Sequence, residues 1–296
     1  MKASVIVMDY VRKKYILDAL QSIKNQKGID LNDIEVIVVK YYQDEKIDNY
    51  IKENFPNYKI INLDPNGPNR YCGSELAIGI KEASSNLIFL LDDDDMFTEN
   101  KISRIFEIVE KIKDHDEYLI FHKMIMIYDQ KRKPLKRYRG NNSSLVLYIK
   151  DKDKLIDYIK KIYYVIDVAL LCYFNKRVIK LNESLTYYRI HKENISMSIR
   201  NRELSEGFLH DYQYIYEKTK CKGLAYGIIS YKILLNLIYN ANYKITLKEY
   251  IEFLLTFDEN YIKGLSKIIL YNLFRNYLRK YYLRKYIFTD LNSQNI

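Results

Sequence analysis

Five apolar residues, Leu87-Ile-Phe-Leu-Leu91, run directly into four consecutive carboxylates, Asp92, Asp93, Asp94 and Asp95. A short run that is apolar at every position has no solvent face, so it reads as a parallel strand covered on both sides. Thr98 then reads as a helix cap, with Glu99 in a first turn where the helix dipole favours acid. Ile102, Ile105, Phe106, Val109 and Ile112 recur at helical spacing. The carboxylates therefore sit where a strand ends and a helix begins. In an open α/β sheet that carboxyl edge is where ligands bind. Four adjacent acids repel one another unless a cation or water offsets them. An oxygen ligand set of this kind suits Mg²⁺ or Mn²⁺. The competing reading is a solvated acidic turn, and the abutment on a buried strand argues against it.

The rest of the first half alternates in the same way. Apolar strands are predicted at 3–8, 34–39 and 59–63, and helices at 16–23, 44–55 and 74–83. The segment 64–69 is a loop by its Pro and Gly content. This alternation predicts βαβ units and a mostly parallel, Rossmann-like α/β sheet flanked by helices. Residues 118–128 are apolar and β-prone, 131–139 form a basic loop, and 150–162 read as a helix. An apolar segment at 167–174 opens with Asp167. Residues 178–188 lead into Arg189-Ile-His-Lys-Glu-Asn-Ile-Ser196. From about 201 the alternation stops and helical patterns take over. The expected division is a ligand-binding α/β domain over 1–200 and a helical extension over 201–296.

Charge narrows the partner class. The net charge of +10 points to an anionic partner: nucleotide phosphates, nucleic acid or an anionic membrane. Between Glu259 and Asp290 there is no acid, but seven basic residues, among them Lys263, Arg275 and Arg284, accompany apolar residues at helical spacing. Two readings stand: a membrane-surface helix, or a helix packed on the core with a solvated basic face. The aromatics there are spaced for a helix face and not for a single-stranded groove, so nucleic acid is not expected. No Gly-x-Gly-x-x-Gly and no Gly-Lys-Ser/Thr occurs, which argues against dinucleotide hydride transfer and P-loop hydrolysis. Cys72, Cys172 and Cys221 are odd in number and widely spaced, matching neither a zinc motif nor a disulfide framework. With no signal peptide and no uninterrupted membrane-length apolar run, the expected location is the cytoplasm, at the inner membrane face if the basic region touches lipid.

The motifs in order resemble those of family 2 glycosyltransferases. Ser4-Val-Ile-Val-Met-Asp-Tyr-Val-Arg12 and the helix that follows resemble the family's N-terminus. Gly73 to Ala83 resembles the helix before its acidic motif, and Leu90-Leu-Asp-Asp-Asp-Asp95 resembles its Asp-x-Asp motif. Leu185 to Ser196 resembles its end-of-domain segment. The resemblance spans roughly residues 3–200 and implies a GT-A fold. It implies metal-assisted, inverting transfer of a sugar from a nucleotide-diphosphate donor to a glycan or lipid-linked acceptor. It also implies roles: Asp9, Arg12, Asp92, Asp93 and Arg189 at the donor, Asp94 with Asp92 and His191 at the metal, and Asp167 as the general base.

Two departures concern the nucleobase. Lys40 stands where the family commonly has an acid, and Leu76 and Ala77 stand where relatives often have Arg and Asn. The sugar and base of the donor are therefore left open. The alternatives are a nucleotidyltransferase, which lacks the expected glycine-rich signature after the first strand, and a non-enzymatic basic membrane-surface module.

Overall fold

The computed structural model describes residues 2–251 except 11–12, 67–70, 113–115, 129–130, 135–140, 192–193, 195–200, 222 and 250. Arg12, most of the basic loop at 131–139 and the basic segment at 259–290 thus lie outside the described residues. The chain divides into two compact units, 1–192 and 193–296.

The first unit is built on a nine-stranded sheet. β1 (Ala3–Asp9) and β2 (Ile34–Lys40) are buried at every residue, as expected of strands covered on both faces. β3 (Tyr58–Asn62) and β4 (Leu87–Asp92) complete a parallel half in the order β3-β2-β1-β4. Three helices connect these strands: α1 (Ile16–Lys24), α2 (Glu45–Asn54) and α3 (Cys72–Glu82). α1 sends Ile16, Ala19, Leu20 and Ile23 into the core, the face its sequence spacing predicted. Asp44 caps α2 by accepting from the N–H groups of Lys46 and Ile47.

The other half is mixed. After β5 (Met96–Phe97) come α4 (Lys101–Val109), β6 (Tyr118–Tyr128) and β7 (Lys131–Pro134). β8 (Leu145–Tyr148), α5 (Lys152–Ile159), α6 (Ile166–Phe174) and β9 (Val178–Arg189) close the unit. The sheet runs on from β4 as β8-β6-β9-β5, with β7 beside β6. β8 is antiparallel to both β4 and β6, whereas β6 and β9 are parallel.

Local expectations change in three places. α4 starts at Lys101, because the Thr98 hydroxyl donates to the Leu185 carbonyl instead of capping the helix. Residues 131–134, expected in a loop, form β7 and pair with β6. β8 carried only a four-residue apolar signature, Leu-Val-Leu-Tyr, and the sequence reading did not foresee it.

In the second unit α7 (Arg202–Thr219) packs on α8 (Leu224–Tyr239) through Leu209, Ile228 and Leu235. Gly227 admits the Tyr212 ring, since a Cβ there would lie 2.6 Å from it. The polar residues that interrupt α8 are used: Asn236 pairs with both backbone groups of Tyr243, and Lys232 donates to the Lys244 carbonyl and to Glu249. Among the described residues no helix is long and apolar enough to cross a membrane.

One buried charge braces the sheet at the end away from the aspartates. Glu35 accepts from the Ser4 hydroxyl at 2.8 Å and from the N–H and hydroxyl of Ser84 at 2.9 Å each. Burial alone would push its carboxyl up, but these donors and Lys59 outweigh it and hold the group below its ordinary value. A depressed carboxylate contributes stability that is present above its unfolded value, about 4.3, and lost as pH falls through the folded value. Glu35→Gln is expected to destabilise by about 1–2 kcal/mol at pH 7. The gap to wild type should close as urea melts are repeated at falling pH below about 4; a gap that stays constant would show that the charge is not what Ser4 and Ser84 hold.

Candidate functional site

Asp92 ends β4, and Asp93, Asp94 and Asp95 form the tight connection to β5. The Asp93 N–H donates to the Met8 carbonyl at 3.0 Å, which extends the β1–β4 pairing by one residue. The Asp95 N–H donates to the Asp92 carbonyl at 3.2 Å and closes the turn. Met96 and Phe97 then pair with Tyr187 and Thr186 of β9. The run is thus held by β1 on one side and β9 on the other. Asp93, Asp94 and Asp95 are buried, and Asp92 is half-buried. A solvated acidic turn would expose them all.

The donors around the run come from several elements. Asp95 accepts from the Arg189 N–H and from the Asn141 amide, each at 3.0 Å. Asp92 accepts from the Asn142 amide at 3.0 Å, and its own N–H donates to the Ser143 hydroxyl at 2.9 Å. Lys101 is fully buried, donating to the Ser143 carbonyl at 2.7 Å and to the Thr186 hydroxyl at 3.2 Å. Burial pushes the Asp95 carboxyl well above the carboxylate range, and Asp94 and Asp92 push it further. Burial pulls the Lys101 ammonium well below its ordinary value, with Asp95 opposing. The Asn141–Ser144 stretch and Lys101 escaped the sequence reading. Asn-Asn-Ser-Ser ahead of an apolar run was the available signal for a polar turn entering a strand.

β9 delivers the second set of groups. His191 Nε2 lies 2.9 Å from Asp94 Oδ2, with both side chains at most 10% exposed. The His191 ring packs against Tyr15, with 4.9 Å between centroids. The Arg189 guanidinium lies over the same Tyr15 ring at 4.5 Å, donates to the Asp94 carbonyl at 3.1 Å and pairs with Asp18 at 2.7 Å. Arg189 and His191 therefore converge on Asp94 from the same strand end.

Asp9 ends β1 beside Asp93. It is fully buried and accepts from the Tyr42 hydroxyl. Burial and the Asp9 charge push the Tyr42 phenol up, out of reach of ordinary pH. Lys40 is buried beneath, donating to the Tyr42 carbonyl at 2.7 Å and pairing with Asp48 at 3.1 Å. Lys13 lies over the Tyr42 ring at 4.5 Å. Tyr42 and Lys13 are site-facing residues that no motif had marked.

Asp167 lies half-buried in the first turn of α6, an otherwise apolar helix whose N-cap is Val165. The segment leading to it is fastened to α3. The N–H groups of Cys72 and Gly73 donate to the Tyr163 and Ile162 carbonyls at 3.1 Å each, and the Ser74 hydroxyl donates to the Lys160 carbonyl at 3.0 Å. The Tyr71 and Tyr163 rings stack at 3.9 Å. Only glycine fits at 73, because a Cβ there would lie 2.1 Å from the Ile159 carbonyl oxygen.

Among the described residues no three His, Cys, Asp or Glu side chains form a ready-made cage.

The profile of glycosyl transferase family 2 matches residues 4–161, more than half of the chain. The chain belongs to glycosyl transferase family 2. No curated protein matches its sequence. Among solved structures, this glycosyltransferase is similar to TarS residues 1–349 of S. aureus, at 17% identity and TM-score 0.56, over 91% of this chain and 80% of that one. TarS has also been solved with UDP and with UDP-GlcNAc. The mannosyltransferase PcManGT of Pyrobaculum calidifontis, solved with GDP-Man and Mn²⁺, is similar at 12% identity and TM-score 0.51, over 93% of this chain and 88% of that one. These likenesses bear on the fold: a curled, mostly parallel GT-A sheet flanked by helices.

The fastening of the Asp167 segment gives a stability prediction. Gly73→Ala is expected to destabilise by about 1–3 kcal/mol through overpacking. Gly223→Ala, where a Cβ meets nothing within 4 Å and the backbone is right-handed helical, should cost far less and can stabilise by up to about 1 kcal/mol. Chemical denaturation of both variants compares them directly, and equal effects would remove the steric argument at Gly73.

Proposed function

We propose that this glycosyltransferase moves a sugar, with inversion, from a nucleotide-diphosphate donor to a glycan or lipid-linked acceptor. Residues 1–200 form the catalytic domain, and 201–296 a helical region that brings a basic face to an anionic membrane. The observation that carries the reading is the Asp94–His191 pair at the carboxyl edge of the sheet, with Asp92 alongside. Asp9, Asp92 and Asp93 bind the nucleoside side of the donor, assisted by Arg12. Asp94, Asp92 and His191 hold the cation. A bound Mn²⁺ or Mg²⁺ supplies Lewis-acid stabilisation of the departing diphosphate. Arg189 keeps Asp94 in place and adds positive charge beside the diphosphate.

Asp167 takes the proton of the acceptor hydroxyl. The alkoxide oxygen forms the new bond to the anomeric carbon on one face while the bond to the diphosphate breaks on the other, carrying its electron pair away. Of the similar structures, one binds UDP-GlcNAc and another GDP-Man, so uridine and guanosine sugars are the donors to test first. Lys40 is committed to Asp48 and the Tyr42 carbonyl, which leaves the Tyr42 and Lys13 surface to meet the base.

With Mn²⁺ and a panel of such donors, wild type is expected to release nucleoside diphosphate. Asp94→Ala should abolish that release. Asp167→Asn should slow transfer by about 10²–10⁴-fold while leaving donor affinity unchanged. Full turnover in Asp94→Ala would overturn the cation assignment, and full turnover in Asp167→Asn would overturn the base.

The basic region is tested by co-sedimentation with vesicles containing anionic lipid. The full chain is expected to bind more tightly than one ending at Tyr261, and to lose binding as salt rises. Equal binding by the two would remove the tail from the reading.

A further inference from the structure

The aspartate run does not hold its own shape. Three of its polar attachments come from a four-residue stretch outside the family's motifs, Asn141-Asn142-Ser143-Ser144. We propose that this turn positions the cation-binding carboxylates, and that Asn142 is the residue that sets Asp92. The proposal rests on the reading above that Asp92 and Asp94 hold a divalent cation.

The chemistry of the contact fixes its direction. An ionised carboxylate only accepts, so the Asn142 amide must turn its Nδ2 towards Asp92 Oδ1. That engages one oxygen of Asp92 and orients the other. The Ser143 hydroxyl takes the Asp92 N–H, so one turn sets both the backbone and the side chain of this residue. The turn itself is fixed from two sides. β8 follows it directly and pairs with β4, Val146 lying opposite Phe89. The Ser143 carbonyl receives Lys101 Nζ at 2.7 Å and the Thr186 hydroxyl of β9 at 2.8 Å. Inside the turn the Ser144 hydroxyl and N–H both donate to the Asn141 carbonyl.

Among the described residues, the side-chain hydrogen bond that Asn142 makes is the one to Asp92. The Asn142 Oδ1 is buried and has no hydrogen-bond partner among the described residues. An unmet buried acceptor costs free energy, whereas an apolar side chain of similar volume would not incur that cost. The Nδ2 bond to Asp92 is therefore what distinguishes Asn142 from an apolar residue of the same size.

This separates positioning from structure. Asn142→Leu and Asn142→Ala are measured for melting temperature and for Mn²⁺ affinity, by electron paramagnetic resonance of free Mn²⁺, with UDP or GDP present. Positioning predicts that at least one variant melts within a few degrees of wild type yet binds Mn²⁺ about 10–100-fold more weakly, the range typical for residues that orient a ligand. Wild-type Mn²⁺ affinity in a folded variant overturns the inference, as does unfolding of both variants, which would make the turn structural. If wild type itself binds no Mn²⁺ with either nucleotide, the proposed function falls and the inference with it. If wild type binds and the variants bind equally well, the inference alone falls.

Discussion

Burying negative charge is the constraint on which the structure turns. Three adjacent aspartates are removed from solvent at the end of β4, and carboxylates in such a place must be met by donors or remain protonated. The fold meets them with the Arg189 N–H, the amides of Asn141 and Asn142 and the imidazole of His191, while Lys101, buried behind them, holds the Ser143 carbonyl. The donors come from two places far from the aspartates in sequence, the turn before β8 and the end of β9. The acidic run is set between β1, β8 and β9, so its geometry depends on the pairing of the sheet.

The parallel half of the sheet was legible because its strands are mostly apolar and its helices carry one apolar face. Ile16, Ala19, Leu20 and Ile23 point inward as their spacing requires. The mixed half was harder to read. β8 is four residues long, and β7 is a basic segment whose pairing with β6 overrides its composition. Thr98 has the side chain of a helix cap, but tertiary contact with the Leu185 carbonyl takes it for the sheet.

The site was legible where residues are consecutive and obscure where they are brought together. The aspartate run, Arg189 and His191 announced themselves by adjacency and by spacing along a strand. Asn142, Ser143 and Lys101 carry nothing in their local sequence that marks a partner roughly fifty residues away for the asparagine, or a buried setting for the lysine. Lys40 looked like a missing acid, and its ammonium instead forms a closed pair with Asp48 under Tyr42. A substitution read from sequence gives the change in charge but not where the new charge is spent.

The register between β1 and β4 has a consequence for how such an enzyme can diversify. Met8 lies opposite Asp92, and the Asp93 N–H reaches the Met8 carbonyl. Asp9 and the aspartate run are therefore one interstrand step apart, about 4.8 Å. Sliding either strand by a residue would turn its buried side chains to the other face, so the spacing between Asp9 and the aspartate run behaves as a fixed ruler. On the proposed reading, new donor preferences arise in side chains such as Tyr42 and Lys13, while the backbone gauge beneath them stays constant.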